Sequence, residues 1–426
     1  MKKAFGLWSA VFIGIGAMVG AGIFIVIGQA GSMAGNIVWL SFVFGGIIAL
    51  LSGYSLAKLA LVFPSRGGII EYLVQEFGVN VFSGGMGILF YFAQLIAIAA
   101  VAKSFGAYAT KLFIGNQNIY WIDVFGVGIV AFFTIINLIG AAMVAKSENI
   151  IVIIKLSVLI VFVIAALFTI KPNLLSLNKT PPISGMFFAI GITFFAYQGF
   201  SVITNTVEDM QNPTKNMLKA MHISILIVAM LYVATSIAVL GNMPLNEIIK
   251  AKDYALALVV KPVFGEIGFK IMAVTALIAT ASAINATLYA ATEISYVLAK
   301  EGDLPKVYEY NVFHSNEGLI VSAFITIPMI LFFNLGEITE AAAISMLIIQ
   351  AITHLGHLKV IKITKANKAA TFLAFVFMGF VAGLTSFYSY ETSPIVIYYL
   401  AGIFIASFII EYILRAINNR KINPQT

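Results

Sequence analysis

The most informative ionisable residue of this sequence is Lys155, which lies within the apolar run from Ile150 to Leu159. An ammonium group in apolar surroundings must reach water, find a partner or lose its proton. Ser147 precedes Lys155 by eight positions, about 12 Å along a helix, so the side chain could instead extend back to a polar interface. We predict that Lys155 gains and loses a proton as part of the function, and extension to the interface stays open as the alternative.

Two apolar stretches contain residues that interrupt helices. The first, Gly14 to Phe24, contains four glycines, and the second, Ile190 to Phe200, places aromatic, amide and glycine residues together. An unwound helix exposes amides that suit a carboxylate and carbonyl groups that suit an ammonium. The two stretches together predict a site for a small zwitterion that needs no charged side chain. A close helix–helix contact through Gly16 and Gly20 is the alternative for the first stretch.

Further polar residues within apolar segments have simpler explanations. Lys103 is expected to extend towards outer water. The polar residues between Thr280 and Tyr289, among them Ser282 and Asn285, fit either interhelical hydrogen bonds or a site. The residue types alone leave these two possibilities open.

The composition is that of a polytopic membrane protein. The 426 residues are 61% hydrophobic and only 10% charged, with a mean hydropathy of +1.01, which lies far outside the soluble range. The absence of cysteine excludes disulfides and thiolate metal sites. In a membrane protein the distribution of the net charge of +7 indicates which loops face the cytoplasm. We therefore expect no nucleic-acid partner.

Apolar blocks of about 20 residues, the length that crosses a bilayer, recur along the chain. The predicted spans are residues 7–31, 37–63, 81–113, 120–143, 147–170, 183–207, 216–242, 261–299, 318–334, 337–358, 368–388 and 394–415. An even number of spans places both termini on one side. With the N-terminus in the cytoplasm, 16 of the 25 Lys and Arg residues fall inside, as the positive-inside rule requires. We therefore expect both termini to be cytoplasmic, in the cell membrane.

The two interrupted stretches lie five spans apart. If spans 1–5 and 6–10 are related units, an odd separation gives them opposite orientations in the membrane, which is the plan of inverted-repeat transporters. The expected fold is all-α, with a transport core at residues 1–358 formed by repeats of about 1–170 and 183–358, broken helices 1 and 6, and two additional helices at 359–426.

Enzyme chemistry is poorly supported. The sequence has no H-E-x-x-H, P-loop, dinucleotide fingerprint or pair of mid-membrane carboxylates. His354 and His357 share a helix face without an accompanying carboxylate, so we interpret them as residues of a helix end and not as metal ligands. We expect no metal and no cofactor beyond protons as coupling ions.

The chain resembles the amino acid–polyamine–cation superfamily of secondary transporters, and in particular its prokaryotic proton-coupled members of broad amino-acid specificity. The segments that carry the resemblance are Gly16 to Phe24, Pro64 to Gly68 with Tyr72, Phe194 to Phe200 and Leu298 to Pro305. The resemblance implies the 5+5 inverted repeat.

It also implies a substrate site. The amides of Ala21 and Gly22 would hold the substrate carboxylate, and carbonyl groups at Met18, Phe195 and Gln198 would hold its amino group. Gly20 and Phe194 belong to the same site, and Phe195 is the expected lid.

In sodium-coupled relatives a cation lies between helices 1 and 8, and the resemblance implies that the Lys155 ammonium replaces it by contacting a carbonyl near Gly16 and the Ser282 hydroxyl. The expected function is proton symport of neutral amino acids by alternating access, since no mid-depth carboxylate is available for a cationic substrate. Sodium coupling, amino-acid exchange and a non-transporting receptor or accessory subunit are the alternatives. The sequence leaves protein partners unknown.

Overall fold

The computed structural model describes residues 6–65, 67–140, 142–176, 182–312 and 315–417. Arg66, which belongs to the second motif of the resemblance, lies outside the described residues. The side chain of Ala21 and those of residues 140–149 are likewise outside the description, although the backbone of Ala21 is helical.

The described chain is built almost entirely of helices. Their bounds are α1 Leu7–Ala34, α2 Val38–Val62, α3 Ile69–Phe77, α4 Val81–Phe113, α5 Ile119–Gly140, α6 Ala142–Phe168, α7 Ser184–Tyr197, α8 Pro213–Asn242, α9 Leu245–Lys250, α10 Ala255–Leu258, α11 Lys261–Glu301, α12 Glu317–Phe332, α13 Leu335–His357, α14 Ile361–Thr364, α15 Lys368–Thr392 and α16 Pro394–Ile417. One small hairpin pairs β1 Asn311–Val312 antiparallel with β2 Ser315–Asn316, with Asn311 opposite Asn316. The all-α fold class is confirmed.

Each predicted span corresponds to one helix or helical segment. These are, in chain order, α1, α2, α4, α5, α6, α7 with the 3₁₀ segment after it, α8, α11, α12, α13, α15 and α16. Within the described ranges, ten helical stretches are long and apolar enough to cross a membrane, with Leu7–Gly20 and Glu317–Phe332 as shorter apolar helices. The division of the chain into two inverted repeats stays a prediction.

The first helix differs from the expected form. We predicted that Gly14 to Phe24 would be unwound, but α1 runs from Leu7 to Ala34 as one α-helix. The reason is packing: α1 lies against α7 and the 3₁₀ segment that follows it, and its glycines remove the Cβ atoms that would hold these elements apart. The alternative interpretation, a close helix–helix contact, therefore describes this stretch.

The second interrupted stretch does change its helical form. α7 ends at Tyr197, and residues Gln198–Thr206 continue as a 3₁₀ helix. A 3₁₀ run of this length is uncommon, and where one interrupts an α-helix it often marks a functional hinge. The change falls inside the predicted stretch from Ile190 to Phe200, next to Gly199.

Short elements between the spans were not predicted. They are α3, α9, α10 and α14, the hairpin, and 3₁₀ turns at Gly35–Ile37, Pro172–Leu175 and Lys306–Glu309. Gly68, with φ +54°, starts α3 in a conformation that favours glycine. These elements are too short for an apolar period to identify them.

The helices form one packed body around α1 and α4. α1 packs on α7 and α8, α2 packs on the same two helices, and α11 crosses α4 and α6. α13 lies between α4 and α15 and also contacts α2, α3 and α7. In this arrangement α1, α6, α7, α8 and α11 meet around the residues predicted to form the site.

Candidate functional site

Lys155 lies where α1, α6 and α11 meet. Its side chain is completely buried, and its ammonium donates a hydrogen bond of 2.7 Å to the carbonyl of Gly16 on α1. A Cβ atom at Gly20 would lie 3.4 Å from the Lys155 Nζ and 3.2 Å from the Cβ of Ala283 on α11. Glycine at position 20 therefore lets α1 approach Ala283 of α11 closely, directly beside the ammonium.

The Gly16 contact is the one that the resemblance implied, and the structure does not use the alternative of extension to an interface. Ser282 is buried on α11 with an exposed fraction of 6%, next to Ala283 at the same junction. Its hydroxyl as a partner of Lys155 stays a prediction. The role of Lys155, Ser282 and Gly16 in proton coupling also stays a prediction.

Other polar residues of α11 have structural partners. The Asn137 amide on α5 donates to the Asn285 Oδ1 at 2.8 Å. Thr280 and Thr287 donate to carbonyl groups four residues earlier in their own helix. For Asn285, the interhelical hydrogen-bond interpretation is therefore the one that the structure supports.

α1 and the end of α7 approach each other through glycines on both sides. A Cβ atom at Gly22 would collide with the carbonyl oxygen of Ala196, and one at Gly199 would collide with the backbone of Ala17 and Met18. Backbone atoms cannot move aside as a flexible side chain can. Glycine at these two positions is what allows the predicted binding segments of spans 1 and 6 to be in contact.

Tyr232 on α8 joins these two segments and was not predicted. Its buried hydroxyl lies 2.7 Å from the Met18 carbonyl and 3.2 Å from the Ala196 carbonyl, and it can donate to either. Its ring packs against that of Tyr197, with ring centroids 5.2 Å apart. A tyrosine in an otherwise apolar part of span 7 was the only available signal, and a buried Tyr hydroxyl normally requires a partner.

The remaining predicted substrate residues occupy different surroundings. Phe194 is fully buried and makes an edge contact with Phe200, with ring centroids 6.4 Å apart, so it contributes to packing. Phe195 is buried, with an exposed fraction of 6%. The Gln198 Oε1 accepts a 2.7 Å hydrogen bond from the Gln350 amide on α13. The Gln198 Nε2 is buried and has no hydrogen-bond partner among the described residues.

The expectation that Lys103 extends to outer water is wrong. The residue is buried, with an exposed fraction of 3%, and its ammonium is held by Asp123 at 2.5 Å and by the Ile330 carbonyl at 2.6 Å. Lys103 and Asp253 both line a cavity of about 230 Å³. Burial raises the pKa of the Asp253 carboxyl, while neighbouring lysines and a hydrogen bond from Gln29 lower it. The ion pair with Asp123 on α5 replaces the hydration that was expected.

The chain matches one protein family over nearly its whole length and named membrane transport proteins over most of it. Residues 5–410 match the family described as "Amino acid permease". An uncharacterised protein of Methanocaldococcus jannaschii is 36% identical over 98% of this chain and 97% of its own length. The inner membrane transport protein YbaT of Escherichia coli is 37% identical over 82% of this chain and 81% of its own length. The serine/threonine exchanger SteT of Bacillus subtilis is 27% identical over 72% of this chain and 70% of its own length.

Proposed function

The chain belongs to the amino acid permease family and is a multi-pass membrane transporter of amino acids, and on that premise we propose that it imports neutral amino acids together with protons. The proposed mechanism is alternating access, in which the site opens to one side of the membrane at a time. The coupling residue is Lys155, with Gly16 and Ser282 as its partners. No enzymatic activity is part of this function.

The single observation that carries the proposal is the position of the Lys155 ammonium. It is fully buried, bonded to an α1 carbonyl and adjacent to Gly20 at the α1–α6–α11 junction. When protonated, the ammonium bridges α6 and α1. When deprotonated, it loses its charge-assisted bond to the Gly16 carbonyl, a bond worth about 1.5–3 kcal/mol. Loss of a proton therefore weakens one contact that holds α1 in place.

The chemistry of the α1–α7 junction supports a neutral substrate. The groups that meet there are the Met18 and Ala196 carbonyls, the Tyr232 hydroxyl, and glycines 22 and 199. None of them carries a charge that would select a cationic or anionic side chain. In the present conformation the amides of Ala21 and Gly22 lie inside a continuous helix, so we propose that substrate binding opens α1 at this point to free them.

Flux through the purified protein tests the proposal. The full chain, reconstituted in liposomes, should accumulate a labelled neutral amino acid when the outside is acidified, without sodium on either side. Counterflow uptake with a panel of labelled amino acids should be selective for neutral ones. If accumulation requires a sodium gradient instead, proton coupling is wrong.

Exchange is the second candidate, because the relative SteT is named a serine/threonine exchanger. An exchanger would take up label only against internal amino acid and would show no accumulation from a pH gradient alone. Absence of both activities in the purified protein would favour the receptor or accessory-subunit alternative.

We also propose that the protein resides in the cell membrane with both termini in the cytoplasm. The basic run from Lys359 to Lys368 would then be inside. Because the chain has no cysteine, single cysteines introduced at Lys362 and at Lys252 can be labelled without background in whole cells. A membrane-impermeant maleimide should modify only the cysteine at position 252.

A further inference from the structure

A cavity of about 230 Å³ lies between α4, α5 and the start of α13 and shares no residue with the α1–α7 junction. Its wall carries two charges of opposite sign, Lys103 on α4 and Asp253 in the segment between α9 and α10. The proposed topology places this segment, and the loop between α4 and α5, outside the cell. We call this cavity, which Lys103 and Asp253 line, the outer cavity.

The Lys103 ammonium keeps one hydrogen-bond donor for a ligand. An ammonium has three N–H groups, and in the described part of the chain Asp123 and the Ile330 carbonyl accept from two of them. The exposed fraction of Lys103 is only 3%, so the third N–H group has little access to bulk water. A carboxylate in the outer cavity would receive a charge-assisted hydrogen bond from it.

Two side-chain amides of the cavity wall add further donors. Asn118 and Asn334 both line the outer cavity, and their Oδ1 atoms accept hydrogen bonds of 2.9 and 3.0 Å from the backbone amides of Tyr120 and Glu337. Because a backbone N–H can only donate, these contacts fix which end of each side-chain amide carries the oxygen. The two NH₂ groups make no hydrogen bond among the described residues and are available to the same carboxylate.

Asp253 and Gln117 supply acceptors to the outer cavity. The Asp253 Oδ1 accepts a 2.7 Å hydrogen bond from Gln29 on α1, which leaves most of the lone pairs of the carboxylate for other donors. The Gln117 Nε2 donates to the Ala107 carbonyl at 3.0 Å, so its Oε1 remains as an acceptor. Burial raises the pKa of the Asp253 carboxyl, and the Lys103 ammonium is among the groups that oppose this rise. The two charges therefore lie near each other, as the two ends of an amino acid do.

The rest of the wall is apolar and the space is small. Ala107, Ile119, Ile122 and Leu335 complete the lining. Because a water molecule takes about 30 Å³ in the liquid, the cavity of about 230 Å³ has room for an amino acid of roughly eight non-hydrogen atoms, such as valine or threonine. Among the described lining residues only Lys103 and Asp253 are charged, so no group is left to pair with a charged side chain of the ligand.

We propose that the outer cavity binds the zwitterion of a neutral amino acid, with its carboxylate at Lys103, Asn118 and Asn334 and its ammonium at Asp253. This rests on the proposed transport of neutral amino acids and adds a second site for the same class of substrate. A single cation or anion would use only one of the two sets of groups.

The outer cavity lies beside the outer half of α1 without merging with the α1–α7 junction. Gln29, the α1 residue that donates to Asp253, is seven positions beyond Gly22, about 10 Å along the helix. A Cβ atom at Gly28 would collide with the backbone of Lys252, so α1 is packed against the segment that carries Asp253. An amino acid in the outer cavity is therefore held next to the helix that it must pass to reach the junction.

The test counts the amino-acid molecules bound by the full chain in lipid nanodiscs at neutral pH, with labelled alanine, threonine, valine and leucine as probes. Asp253→Asn keeps an acceptor for Gln29 but removes the charge. Ala107→Leu narrows the outer cavity without changing any charge. Glu247→Gln is the matched control, because this exposed carboxyl belongs to the same outer segment and does not line the cavity.

The wild type and Glu247→Gln should bind two molecules of at least one probe. Asp253→Asn and Ala107→Leu should bind one at the same concentration, because loss of a charge-assisted hydrogen bond weakens the outer site by about ten- to hundredfold. Equal binding by the wild type and both cavity variants overturns the proposal. Valine methyl ester lacks the carboxylate and isovalerate lacks the ammonium, so neither should displace the Asp253-dependent molecule. Displacement by either one as effectively as by valine would reduce the cavity to a site for a single ion and also overturn the proposal.

Failure of the proposed transport function gives different results. If the wild type binds one molecule and Asp253→Asn binds none, the outer cavity is the binding site and the α1–α7 junction is not. Uptake driven by a pH gradient is measured separately in liposomes. A protein that binds at the Asp253-dependent site without such uptake contradicts the symport proposal alone.

Discussion

The contact between α1 and α7 makes the substitution Gly22→Ala a sharp test of how span 1 works. A Cβ atom at position 22 would lie 2.5 Å from the Tyr232 hydroxyl and would collide with the Ala196 carbonyl. Relief requires the two segments to separate, and overpacking of this kind costs about 1–3 kcal/mol. Each hydrogen bond of Tyr232 that is lost adds about 1 kcal/mol. Alanine is more stable than glycine inside a helix, which offsets about 0.5–1 kcal/mol of this destabilisation.

Gly31→Ala is the matched control on the same helix. Its Cβ would lie 3.6 Å from the Ile248 side chain, an ordinary contact, so only the gain in helix preference remains. The two variants should differ by about 2–4 kcal/mol, with Gly31→Ala at or above wild type. The assay is the temperature at which half of the detergent-solubilised protein loses its monodisperse chromatographic peak, together with counterflow uptake.

The outcome distinguishes the packed helix from an unwound one. If span 1 were unwound at Gly22 in the resting state, Gly22→Ala would leave thermal stability near that of Gly31→Ala and impair only substrate binding. Equal stability of the two variants would therefore refute the assignment of these glycines to helix packing.

Three further substitutions test other parts of the molecule. Lys155→Met should fold with unchanged or higher thermal stability, because replacing a buried charge by an apolar side chain is often neutral or stabilising by about 1–4 kcal/mol. The variant should, however, lose the accumulation of amino acid that a pH gradient drives in liposomes. Accumulation at the wild-type level would contradict the coupling role. Tyr232→Phe should weaken substrate binding and lower stability by about 1 kcal/mol, measured by counterflow and thermal unfolding, and an unchanged Kd would exclude the hydroxyl from the site. Glu76→Gln should stabilise the protein increasingly as the pH rises, because the carboxyl has a folded-state pKa of about 10 against an ordinary 4.5. A pKa raised in the folded state makes wild-type stability fall between those values, by up to ~1.4 kcal/mol per pH unit, and parallel pH profiles of the two proteins would contradict this.

The spans could be predicted because each is set by local composition. Residues 81–113 are predicted and observed with the same bounds, since the Asn80 side chain caps the first turn of α4 and Gly78 ends α3 just before it. The length of an apolar segment depends on that segment alone, so a membrane span can be predicted without knowing which helices pack against it. The short α3 helix and the hairpin after α11 carry no such signal.

The state of span 1 could not be predicted for a physical reason. Glycines at positions 16, 20 and 22 fit both an unwound segment and a tightly packed helix, and the choice depends on what lies opposite. Gly22 lies opposite Ala196 on α7, Gly16 opposite Val152 on α6, and Gly20 opposite Lys155 and Ala283, so the deciding residues all belong to distant spans. Tyr232 and Lys103 illustrate the same limit, because their partners are backbone carbonyls and a carboxylate from other spans.

The histidines of α13 lie in its last turn, as predicted, but their hydrogen-bond partners could not be predicted. Their spacing placed them on one helix face, but their partners Ser52 and Ser55 lie about 300 positions away on α2. Two serines three residues apart on one helix meet two histidines three residues apart on another, and the match is visible only once the helices are packed. Lys155 on α6 contacts α1 through the Gly16 carbonyl, and Gln350 on α13 contacts the 3₁₀ segment after α7 through Gln198. Lys155 and Gln350 thus each contact one of the two segments that meet at Gly22 and Gly199, and neither contact could be read from the sequence of its own span.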